Sequence, residues 1–134
     1  MTRLSFRLAR RTAAPLALAA LLGACAAPRP MGITDLAQRP AEGALLSGMR
    51  AYDDGQYADA EAHFNRALQA GLMSPRDRAA AHKHLAFIYC TSARANLCEV
   101  AFRDALAADP RFDLAPAEAG HPQWGPVYKK VRGR

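Results

Sequence analysis

The stretch Ala60-Glu61-Ala62-His63-Phe64-Asn65-Arg66-Ala67-Leu68 returns 38 residues later as Cys98-Glu99-Val100-Ala101-Phe102-Arg103-Asp104-Ala105-Leu106. In both copies the small and apolar residues fall at i, i+4, i+7 and i+8, the spacing of one helical face. Working outward, each copy is the second helix of a pair. The first pair reads as Ala44–Asp54 and Tyr57–Ala70, parted by Asp53-Asp54-Gly55-Gln56, where Gly55 suits the left-handed residue that ends a helix. The second pair reads as Pro75–Cys90 and Ala95–Ala108, parted at Thr91-Ser92-Ala93. Gly71 closes the second helix, Ser74-Pro75 supplies a cap and a first-turn proline for the third, and Pro110 stops the fourth. Strand signals are missing throughout, so the expected class is all-α, with two helical hairpins between residues 42 and 110.

This is the pattern that resembles tetratricopeptide repeats. Gly48, Gly55, Tyr57, Ala60, Phe64 and Ala67 take the family's small, turn and aromatic positions in one repeat, and Ala86, Tyr89, Phe102, Ala105 and Pro110 do so in the next. The period exceeds the usual one by four residues, placed in the Gly71–Arg78 connection, and Cys98 replaces the small alanine of the second helix. Such a stack needs about three units to bury its faces. The cover expected here is the segment 111–134, which carries Phe112, Leu114, Trp124, Val127 and Tyr128. Pro122 and Pro126 limit it to short pieces, the last a helical turn or two over Gly125–Val131. If the Trp124 ring is packed, Trp124→Ala should cost on the order of 3 kcal/mol. Lys129, Lys130, Arg132 and Arg134 crowd its end, either as a helix C-terminus complementing the macrodipole or as a contact for anionic lipid or an acidic partner.

The N-terminus has the three parts of a secretory signal: Arg3, Arg7, Arg10 and Arg11, then the apolar run Ala13–Leu22, then small residues. Thr12 to Ala27 offers only 16 uncharged residues, short of the roughly 20 that span a bilayer. Leu22-Gly23-Ala24-Cys25 resembles the bacterial lipoprotein signal, which implies removal of residues 1–24 and acylation of Cys25. Ordinary cleavage near Ala24-Cys25-Ala26 is the competing reading. Ala26 after the cysteine, by analogy with Gram-negative lipoproteins, implies the outer membrane. Residues 25–41 then form a flexible tether bracketed by Pro28, Pro30 and Pro40, about 20–25 Å across as a coil. Of 18 basic residues four leave with the signal, so 14 face 12 acidic ones and the net charge falls from +6 to +2. A nucleic-acid partner loses its support by charge and by compartment.

If Cys25 carries lipid, Cys90 and Cys98 are left as a pair in an oxidising space. A bridge across them is the expectation, worth about 2.5 kcal/mol on the chain-entropy estimate, with two buried thiols as the alternative. A narrower resemblance rests on the run Ala81-His82-Lys83-His84-Leu85-Ala86-Phe87-Ile88-Tyr89-Cys90, on Cys98, Phe102, Asp109-Pro110 and Phe112, and on Ala117-Glu118-Ala119-Gly120-His121-Pro122, followed by Trp124-Gly125-Pro126-Val127-Tyr128. These are similar to TssQ-family lipoproteins associated with bacterial type VI secretion. The resemblance implies an accessory component in the cell envelope that acts by association.

No catalytic set is legible. His82 and His84 sit two apart on one helix and point about 200° from each other, so they cannot chelate together. His82 is expected half-buried toward the neighbouring hairpin. Ser47, Ser74 and Ser92 lack a nucleophile-elbow context. Glu118 with His121 could be imagined in cell-wall hydrolysis, but they are not joined by a second placed acid. The expectation is therefore no enzyme, no cofactor and no metal. The repeat register, read through the resemblance, implies a concave face lined by Leu45, Met49, Tyr52, Lys83 and Phe87, filled either by a partner, which would meet Trp124 as a sixth contact, or by the Trp124 region itself. The function expected is a lipid-anchored, periplasm-facing scaffold that binds an envelope protein, part of type VI secretion. A general outer-membrane or pilus assembly lipoprotein is the runner-up.

Overall fold

The computed structural model describes residues 39–133. The signal 1–24, Cys25, and the tether as far as residue 38 lie outside the described residues. Among the described residues six helices follow one another, with no strand: α1 Pro40–Asp53, α2 Tyr57–Ala70, α3 Pro75–Thr91, α4 Ala95–Ala108, α5 Pro116–Ala119 and α6 Gly125–Arg132. The bounds of α2 and α4 coincide with the sequence reading. By contrast α1 begins at Pro40, four residues before the expected Ala44. A proline at the first helical position loses no bond, because its missing N–H would have been unpaired there, and its φ is already helical. Ala41, assigned to the tether, is thus in the core at 4% exposure. At its other end α3 gains Thr91, whose Oγ1–H donates to the Phe87 carbonyl at 2.8 Å.

The expected helix ends are built as their residues dictate. Gly55 and Gly71 take left-handed backbone at φ 73° and 86°, and Ser74 Oγ accepts the Asp77 N–H at 3.3 Å ahead of Pro75. Ala93 was not foreseen to be special, yet it adopts φ 58°. It is the repeat counterpart of Gly55, 38 positions on.

Within each hairpin the helices pack face to face, α1 on α2 and α3 on α4, and α2 joins the hairpins by lying against α3. Phe64 and Phe102, at equivalent repeat positions, are fully buried. Gly48 lets α1 close on the Phe64 ring, since a Cβ there would stand 2.8 Å from it. Arg94 reaches across the hairpins to hold both oxygens of Glu61, at 2.9 and 2.8 Å. Cys98 is fully buried against α3, and its Cα lies 5.1 Å from that of Cys90, within the normal range for a disulfide.

The C-terminal segment caps the second hairpin. Leu114, Tyr128 and Val131 are buried, with the Tyr128 ring 5.3 Å from Phe102 and 5.8 Å from Phe112. The Tyr128 hydroxyl donates to Asp113 Oδ1 at 2.8 Å, while Arg132 donates to the Phe112 carbonyl at 2.6 Å. These bonds fold the chain after α4 back along it. Instead of the single expected helix there are two, because Pro116 and Glu118 start the short α5 in between.

Candidate functional site

The face shared by α1 and α3 carries the residues that the repeat register points to, and the chain's own tail lies across part of it. Trp124 stacks on Phe87 with centroids 4.2 Å apart and planes inclined by 22°. On its other face His121 lies nearly parallel at 3.3 Å. The indole N–H donates to the Glu118 carbonyl at 2.8 Å. Glu118 in turn spends both carboxylate oxygens, one on the Lys83 ammonium at 2.6 Å and the other on the Ala115 N–H at 3.0 Å. Burial pushes this carboxyl up, but Lys83 and the Ala115 N–H outweigh it and hold it below the usual range.

Of the six residues expected to meet a partner, Leu45 and Phe87 are buried, at 6% and 3% exposure. Phe87, Lys83 and Trp124 are engaged within the molecule: of the two occupants expected for this face, the Trp124 region is the one that lies on this part of it. The physical reason is the tail's reach: α6 is anchored on α4, and this brings Trp124 onto α3. Met49, at 38%, and the half-buried Tyr52 remain at the surface. Tyr52 meets Tyr57 edge-on at 5.4 Å, and Tyr57 is itself 52% exposed. Burial raises the Tyr52 hydroxyl above its ordinary value, helped by Tyr57, Glu118 and Asp53 nearby.

His84, expected only not to chelate together with His82, sits under this face. Its ring stacks on Phe64 at 5.1 Å and meets the Tyr52 ring edge-on at 5.1 Å. Nδ1 lies 2.7 Å from the Ala80 carbonyl, so that nitrogen carries the proton. Burial lowers the affinity of the ring for a second proton, and Lys83 adds to this, against a smaller opposing effect of the Ala80 carbonyl. Phe87 three residues on is the signal that could have found it, as an aromatic neighbour on the same helical face.

His82 points the other way, into a cleft with Asn65 and Leu68 of α2 and Leu97 and Val100 of α4, its Nδ1 4.0 Å from Asp104. It is half-buried there, as expected. Glu118 and His121, the pair weighed for hydrolysis, are both employed in holding Trp124. In the basic tail Lys130 pairs with Glu99 at 2.9 Å and Arg132 with Asp113 at 3.4 Å, leaving Lys129 exposed to solvent. Arg134 lies outside the described residues. A cavity of about 440 Å³ between α3 and the loop after α4 is rimmed by Arg76, Arg111, Asp109 and Asp113, and both its carboxylates are already bonded within the fold.

Comparison with family models, with curated proteins and with solved structures gave no match.

Proposed function

We propose that this protein is a lipid-anchored envelope scaffold that binds a protein partner through the α1–α3 face, as an accessory component of a type VI secretion system. The observation that carries the binding half is the Trp124 contact. A helix face on which Phe87 accepts a flat ring and Lys83 accepts a carboxylate, beside the open Met49 and Tyr52, has the chemistry to take an extended segment. The anchoring half is supported by Leu22-Gly23-Ala24-Cys25, and the secretion context by the residues from Ala81 to Tyr128 that are similar to TssQ-family lipoproteins.

Two experiments test the two halves. A photo-crosslinking residue in place of Met49 should capture one discrete envelope protein in cells carrying the native gene cluster, and Tyr52→Ala should weaken the capture. A product spread over many proteins, unchanged by Tyr52→Ala, removes the binding reading. Cys25→Ala should abolish fatty-acid labelling and release the protein from the membrane fraction; continued labelling removes the anchor.

A further inference from the structure

The segment Ala115–Trp124 differs from everything around it in how it is held. None of its residues is buried, whereas the chain on either side is pinned by Leu114 and Tyr128, at 6% and 3% exposure. Its polar bonds close on themselves. Ala115 N–H reaches the Glu118 carboxylate, the Glu118 carbonyl accepts from both His121 N–H and the Trp124 indole, and Gly125 N–H reaches the His121 carbonyl at 2.9 Å. Gly125 also packs tightly against α5, where a Cβ would meet the Ala119 carbonyl at 2.5 Å. The segment is thus a small loop packed on its own side chains. Outward, Glu118 reaches Lys83 and Trp124 reaches Phe87 on α3, and the partly buried Ala119 packs on the core.

From this we infer that residues 115–124 are a strap that lifts from α3 as one piece, with Leu114 and Tyr128 as its fixed ends, alternately covering and baring Lys83 and Phe87. A segment with few buried apolar contacts belongs to the low-stability part of a fold, and the internal bonds that keep its shape are not lost when it lifts. Opening joins Phe87 to Tyr52 and Met49 in a single face. The strap therefore regulates the binding face proposed above, and its purpose rests on that reading: for any partner that needs Phe87 the apparent Kd is the intrinsic one divided by the open fraction.

Trp124 is the only tryptophan of the chain, which makes the motion directly visible. In the full mature protein, NMR relaxation dispersion should give the Trp124 indole N–H and the amides of residues 117–124 one common exchange rate, with α1, α2 and α4 quiet. Lys83→Met removes the ion pair and leaves Trp124 on Phe87, so the open population should rise about twofold to fivefold, and acrylamide should quench Trp124 more strongly. Flat profiles for residues 117–124 in Lys83→Met, with Trp124 as protected as in the wild type, overturn the strap. Dispersion that spreads with the same rate into α4 also overturns it, because the segment would then leave only with the core. A strap that opens while the Met49 crosslinker captures nothing retains this inference and removes the functional one.

Discussion

Ala93 carries a backbone conformation that its side chain disfavours. At φ 58° its Cβ crowds the following carbonyl, while Gly55 holds the same place in the first hairpin at φ 73° without that cost. Ala93→Gly should therefore stabilise the fold, by about 0.5–1 kcal/mol after the added freedom of the unfolded chain is subtracted. Chemical denaturation measures it, and a loss of stability would show the turn to be unstrained. His84 gives a second expectation. Because burial makes its ring a weaker base in the fold than in the unfolded chain, its contribution is fully present above about 6.5 and is lost as pH falls below that value. His82 is shifted in the same direction, again mainly by burial. Urea midpoints should drop between pH 7.5 and 5.5, and the drop should shrink in His84→Phe, whose ring can keep the stack on Phe64. An equal drop in both proteins assigns the effect elsewhere. A third concerns Trp124. Its ring is only partly buried and its segment can lift, so Trp124→Ala can cost no more than opening does, about 1–2 kcal/mol in place of the 3 expected for a packed ring. Tyr128→Ala, removing a buried anchor, should cost about 3–4 kcal/mol.

At the scale of elements, the hairpins were readable because their punctuation is local. Gly55, Gly71, Ser74-Pro75 and Pro110 act on the residues beside them, and α2 and α4 begin and end where those residues say. The start of α1 was misplaced because Pro40 has two local meanings, the end of a tether and the first residue of a helix, and only the burial of Ala41 and Glu42 decides between them. The short α5 has no periodicity to read. What sets it is one carboxylate, Glu118, bonded to its own first residues and to Lys83, 35 positions away in the chain. The Cys90–Cys98 pair belongs to this scale as well, since it ties the end of α3 to the start of α4. Non-reducing mass spectrometry should recover the two peptides linked, and Cys90→Ser should lower stability by about 2.5 kcal/mol. Cys98→Ala, which installs the residue found at Ala60, separates the bridge from the packing. Recovery of both thiols free from fresh periplasm excludes the bond.

Across the whole molecule, the all-helical class, the two hairpins and the capping role of the tail followed from periodicity and from the apolar residues left over after residue 110. The candidate face was legible as far as its lining, because Leu45, Met49 and Tyr52 recur at helical spacing. Its occupant was legible only as one of two alternatives, a partner or the Trp124 region, since the Trp124–Phe87 and Glu118–Lys83 contacts depend on where α6 settles against α4, a long-range result of burying Tyr128 and Val131. The correspondence between the hairpins has a further consequence, in the language of descent. A chain that holds one motif twice can put the copies to different uses, and these two differ at matching positions. Where the first copy keeps Tyr52 over Ala60 and a glycine in the turn, the second has a pair of cysteines and a strained alanine, and it alone receives the strap. On the function proposed above, selection would act on two halves with different duties. The second is committed to its staple and its cover, so its residues should tolerate few replacements, while the outward positions of the first, Met49 foremost, are where diverging lineages would be expected to change partners.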